Sequence, residues 1–244
     1  MTDDYNDQVS SIKAHFEKLF AHPPAELSST IRASPLGACS EALATSLLSA
    51  AQANPISIDT LVQPLVRELS ATEDLRFTDE DAGYTNIQFN TVFRIDLADI
   101  LSDSLHEIQP KPKQTDILPS NTVLSSALFS ASAIRNNLLS STAIYAFVEK
   151  GLQFPGTTTE TERQEVMAIG TCLLLLVAGR VLLDKWMADE DRLETVIEAL
   201  EGLKKKAVIQ YPTAVSLLER TVVAAGDGFV TIIPAADAWK LLFP

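Results

Sequence analysis

The sequence predicts an all-α protein built from antiparallel helix pairs, on three observations. Apolar residues recur at three- and four-residue spacing through most of the chain. Pro, Ser and Asp break these stretches at near-regular intervals. Only 9 of 244 residues are glycine, and no Asn-Gly or Asp-Gly pair is flanked by alternating apolar residues, so β-hairpins have no signal.

The first helix is expected over about Asp7 to Ala21, with Val9, Ile12, Phe16, Leu19 and Phe20 on one face, ended by His22-Pro23-Pro24. The residues before it are expected to be disordered. A short helical turn covers Ala25–Arg32. Ser34 and Pro35 then provide a cap and a first-turn proline for a small-residue helix over Leu36–Ala53, stopped by Asn54-Pro55. Ser57 caps the next, from Ile58 to about Ala71, with Leu61, Leu65, Val66 and Leu69 inward. Pro64 lies inside it and is expected to kink it or delay its start, because proline lacks an N–H and crowds the preceding turn. Glu73 to Gln88 reads as a long acidic loop.

Phe89 to about Ile108 forms the fourth long helix, with Phe93, Leu97, Ile100, Leu101 and Leu105 on its face. Pro110–Asn121 carries three prolines and reads as a surface loop or linker. Asn121–Asn136 and Ser140–Gln153 are the next two helices, joined by a tight Asn-Leu-Leu-Ser turn and ended by Phe154-Pro155-Gly156. Thr159 with Glu162 makes a capping box for a long helix to about Leu183. Asp189 caps the following helix. It ends at Lys204-Lys205-Lys206, where positive charge suits the exposed carbonyls. Pro212 opens another, to about Ala225. Gly226-Asp227-Gly228 breaks it, FVTII crosses as an extended segment, and Pro234 starts a last short helix to Phe243.

Paired in order, these helices give five antiparallel hairpins of ~40–45 residues, the size of a HEAT or armadillo unit. The expected architecture is therefore a HEAT/armadillo-like right-handed solenoid in one domain, residues 1–244. The competing arrangement is a single closed bundle.

Charge narrows the function classes. A formal net charge of −13 disfavours a phosphate-driven grip on nucleic acid or an anionic membrane and favours basic protein patches. Val166–Gly179 is free of charge but closed by Glu165 and Arg180, short of the ~20 residues of a membrane span, and reads as a buried central helix. Cys39 and Cys172 sit in apolar stretches without CxxC spacing and are expected to be buried free thiols. The acidic N-terminus resembles neither a signal nor a transit peptide, and the expected compartment is the cytoplasm or nucleus.

Catalytic and metal constellations are sparse. Asp3, Asp4 and Asp7 spell D-D-x-x-D, but magnesium-diphosphate chemistry needs such carboxylates mid-helix facing a deep cavity. His15, His22 and His106 lack zinc spacing, so no metal is expected. The serine-rich stretches lack a G-x-S-x-G elbow, and Gly226-Asp227-Gly228 lacks the lysine of a phosphate loop; no cofactor is expected. Two charged clusters are candidate partner-binding sites. One is basic: Lys204, Lys205 and Lys206, with Arg192 and Lys185 near in sequence. The other is acidic: Asp79, Glu80 and Asp81. Trp239 and Phe243 are expected to close the last hydrophobic layer.

The C-terminal half resembles the middle domain of the eukaryotic translation initiation factor 4G family, a HEAT-type fold of five helical pairs. The resemblance rests on LLSSTAIYAFVEKGL, Leu138–Leu152, on ERQEVMAIGTCLLLLVAGRVLLD, Glu162–Asp184, with its Gly179-Arg180 step, on DEDRLETVIEALEGLKK, Asp189–Lys205, and on TAVSLLERTVVAAGDGF, Thr213–Phe229. Ser40–Leu69 matches the second and third helices more loosely. The chain departs from the family at SSALFSASAIRNN, where arginines and a Gly-Asn step are usual, and the basic residues that touch RNA are largely missing. The resemblance implies a non-enzymatic scaffold acting in translation or RNA metabolism, with a DEAD-box helicase as partner and little direct RNA contact. The alternatives are a helical adaptor unrelated to RNA and, far behind, a helical enzyme using the N-terminal aspartates.

Overall fold

A computed structural model describes residues 2–20, 26–79, 83–106, 121–153, 161–185 and 190–244. The protein is mainly helical. In chain order the elements are α1 (Thr2–Phe20), α2 (Leu27–Ala33), α3 (Leu36–Ala53), a 3-10 turn (Pro55–Ser57), α4 (Ile58–Ser70), β1 (Arg76–Asp79), β2 (Tyr84–Gln88) and α5 (Phe89–His106). There follow α6 (Asn121–Arg135), a second 3-10 turn (Ser141–Ile144), α7 (Tyr145–Leu152), α8 (Thr161–Lys185), α9 (Glu190–Lys205), α10 (Pro212–Gly226) and α11 (Ala235–Leu242).

The helices follow the apolar periodicity, with corrections at their ends. The N-terminus is helical from Thr2, so Asp3, Asp4 and Asp7 lie in the first turns of α1 and not in a disordered lead. Pro64 sits within a continuous α4, whose start is preceded by the 3-10 turn. Ser34 does not cap α3. Its hydroxyl donates back to the Thr30 carbonyl at 2.9 Å, and Pro35 stands at the cap position. Ser57 likewise donates to the Asn54 carbonyl and leaves the start of α4 without a side-chain cap. The expected stops at 22–24 and 154–156, the residues Thr159 and Asp189, and the linker at 110–120 lie outside the described residues.

The acidic stretch 73–88, expected to be a loop, contains a β-hairpin. β1 pairs antiparallel with β2 in the register Arg76↔Gln88, Phe77↔Ile87 and Asp79↔Tyr84, with an irregularity between Phe77 and Asp79. Gly83, just before β2, has φ 75°, a conformation that glycine adopts without a Cβ clash. Asn86 also turns left-handed, and its N–H donates to Thr78 Oγ1 at 3.2 Å. Phe77 and Tyr84 meet edge to face at 6.5 Å, and Phe77 packs on the core. The Phe89 N–H donates to the Leu75 carbonyl at 3.0 Å, which joins the base of the hairpin to α5.

Packing runs in a row, α1 on α3, α3 on α6, α6 on α8 and α8 on α10, with α5 against α3 and α6, and α7 and α9 at the far end. Two helices are enclosed on every side. Val123 to Ile134 of α6 is buried without interruption, as is Glu165 to Gly179 of α8. The apolar run of α8 continues helically through Glu165 and Arg180, so it is longer than its uncharged centre. Gln164–Asp184 is long and apolar enough to cross a membrane, yet 83% of its most apolar 18-residue window is buried inside the protein. Burial accounts for its composition.

Close packing of α8 uses glycine. A Cβ at Gly179 would lie 2.6 Å from the buried Phe229 ring, and one at Gly170 would lie 2.9 Å from Phe147. The last helix, α11, returns to the first half and packs on the turn Pro55–Ser57, on α4 and on α6 as well as α8. Trp239 is buried there with its ring 4.5 Å from that of Phe243.

Candidate functional site

Polar side chains in the interior join one helix to another. Asp59 of α4 accepts from Ser132 Oγ (2.5 Å) and Arg135 Nη2 (2.8 Å) through Oδ1, and from the Ala235 N–H (2.9 Å) through Oδ2. One carboxylate thereby ties α4, α6 and the start of α11. Gln52 of α3 donates to Ser104 Oγ of α5 (2.9 Å) and Ser126 Oγ of α6 (3.0 Å), and the two serines bond each other at 2.8 Å. Gln164 of α8 donates to the carbonyls of Lys150, Gly151 and Gln153, closing the C-terminus of α7. Glu165, buried, accepts from the Gln210 N–H at 2.6 Å. Buried polar groups need such partners, and here they come from neighbouring elements.

The basic cluster is divided by its surroundings. Lys204 Nζ lies 3.2 Å from Glu219 Oε1 of α10, so its charge is matched within the α9–α10 pair. Lys205 and Lys206 are exposed at the end of α9. Arg192 lies in the first turn of α9, and its side chain is outside the described atoms. The acidic cluster is also divided. Asp79 is half-buried at the end of β1, with Oδ2 3.5 Å from where a Cβ on Gly37 would sit, whereas Glu80 and Asp81 lie outside the described residues. The basic and acidic clusters occupy elements with different neighbours: α9 packs mainly on α7 and α10, and β1 on β2 and α3.

Two groups of carboxylates escaped the reading of the sequence. Near Asp79, Tyr5 OH donates to Glu41 Oε2 at 3.1 Å. Its phenol is pushed up to about 12, by burial first and then by Glu41, Asp96 and Asp79. Asp96 is held above the usual carboxylate range, chiefly by burial and further by Glu41 and Asp99, while the hydrogen bond from Ser40 opposes the shift. The second group lies on α9. Val196, Leu200 and Leu203 face the core, and Glu194, Glu198 and Glu201 stand exposed on the opposite side. Their spacing of four and three residues puts them on one stripe, and none has an ion-pair partner among the described residues. That spacing was visible in the sequence, beside the lysine run that drew attention instead.

Both cysteines are free and buried, and burial pushes each thiol up to about 12. Among the described residues, no group of three or more His, Cys, Asp and Glu side chains is placed to hold a metal ion. No protein-family model matches the chain, and no curated protein or solved structure matches it. The likeness to initiation factor 4G middle domains therefore rests on the residues quoted above.

Proposed function

We propose that this protein is a non-enzymatic helical scaffold that binds a basic segment of another protein through the acidic face of α9. The observation that carries the reading is the stripe Glu194, Glu198 and Glu201, without an ion-pair partner among the described residues and exposed on one helix in a chain of net charge −13. Like charges at one-turn spacing on an exposed helix oppose each other mildly. A cationic partner relieves that opposition and is drawn in by the surrounding field. The interior supports a scaffold as well, since Asp59, Gln52 and Gln164 tie helices together.

The narrower reading is a scaffold of the initiation-factor middle-domain kind, acting in translation or RNA metabolism on a DEAD-box helicase, in the cytoplasm or nucleus. It is supported by the resemblance over 138–229 alone. A rigid body holding two lobes of such a partner changes the populations of its open and closed states. A curved stack of five helix pairs is supported by the α9–α10 pair and by the row from α1 to α10. The enclosure of α6 and the return of α11 to α4 support a closed bundle instead.

The test compares proteins retained by the wild type with those retained by the variant Glu194→Lys, Glu198→Lys, Glu201→Lys. The expected result is loss of a salt-sensitive, basic subset from the variant, with helicases in that subset under the narrower reading. A retained set that is the same for both proteins contradicts the assignment of the α9 face.

A further inference from the structure

We propose that the cleft between α1 and α2 binds the phosphoryl group of a small soluble molecule. The cleft is about 550 Å³, within the ~300–1,000 Å³ usual for small-molecule sites. Ser11, His15 and Lys18 line it from α1, and Thr30 and Ser34 line it from α2 and the turn after it. The spacing of four and three residues puts Ser11, His15 and Lys18 on one side of α1. No carboxylate lines the cleft among the described residues, although acidic residues outnumber basic ones 32 to 19 in the chain. Lys18 is the one lysine or arginine among the described lining residues.

The donors in this cleft are uncommitted. Lys18, His15 and the hydroxyls of Ser11 and Thr30 have no hydrogen-bond or ion-pair partner among the described residues. Lys13, which does not line the cleft although Ile12 and Ala14 on either side of it do, is by contrast within 4.0 Å of Glu17. Ser34 fixes the wall, because its hydroxyl donates to the Thr30 carbonyl. An ammonium with three N–H donors, an imidazole and two hydroxyls suit an anion with three acceptor oxygens and a charge near −2. A polyanion fits less well, since the lining offers one lysine and each further phosphate would meet the −13 body without a cation of its own. Ile12 and two alanines supply an apolar wall for the organic part of the ligand.

The test is amide-resolved NMR titration at constant ionic strength with inorganic phosphate, ribose 5-phosphate and ribose. Saturable shifts confined to residues 11–18 and 30–34 are expected with both phosphates and none with ribose. Lys18→Gln removes one charge-assisted contact and should weaken binding about tenfold or more. Lys13→Gln, outside the cleft, should leave it unchanged. Shifts that do not saturate, that ribose reproduces, or that persist equally in Lys18→Gln would overturn the assignment.

Discussion

Asp59 serves three donors from two distant parts of the chain, and its side chain and that of Arg135 are only 18% and 17% exposed. Removing one member of a part-buried pair leaves the other partly desolvated and unmatched. Asp59→Ala should therefore destabilise the fold by about 3 kcal/mol in denaturant unfolding. Asp59→Asn keeps an acceptor oxygen and should cost less. A loss below about 1 kcal/mol for the alanine variant would deny Asp59 its role in joining the halves. Asp96 is the opposite case. Its folded-state pKa is raised, so its contribution is fully present below the ordinary aspartate value near ~3.9 and is lost as pH rises through the raised folded value. Asp96→Asn should accordingly be more stable than wild type at pH 7, and the gap should close on acidification below pH ~4. Thermal unfolding at the two pH values measures this, and a variant less stable at pH 7 would contradict the assigned cause.

Helix α8 packs against α6, α7, α10 and α11, and its glycines set how closely neighbours approach. Gly179→Ala drives a methyl into the Phe229 ring and should cost about 1–3 kcal/mol in chemical denaturation. Gly226→Ala, with nothing within 4 Å, serves as a control and should change stability little. Equal effects at the two positions would show that the close approach does not constrain α8. Most helices were legible in the sequence because a 3.6-residue apolar period survives whatever packs on it. The hairpin was not. β1 has four residues with Phe77 as its one large apolar side chain, and it sits between acidic stretches that read as loop. The extent of α8, expected from the Thr159–Glu162 capping box to about Leu183, is observed as Thr161–Lys185, although Glu165 and Arg180 bound its uncharged centre. In the fold, Glu165 is buried against the Gln210 N–H, and Arg180 emerges at the surface to meet Asp184 at 3.6 Å.

At the scale of the whole molecule, periodicity assigns each helix an inner face but says nothing of which distant helix covers it. That is why short connections suggested sequential pairs while the return of α11 to α4 went unread. The charged sites follow the same pattern. Lys204 was visible as a cation, but its partner Glu219 arrives only when α10 folds back on α9. The interior ties join distant helices to one another, and the acidic stripe of α9 is the face proposed above for a cationic partner. The most direct measurement is the affinity of a co-purified basic partner for the wild type and for the Glu194→Lys, Glu198→Lys, Glu201→Lys variant, over a range of salt. The account predicts wild-type affinity that falls steeply with salt and a variant whose binding is at least tenfold weaker at low salt while its thermal stability is retained. Equal affinity for the two proteins, or binding indifferent to salt, would contradict it.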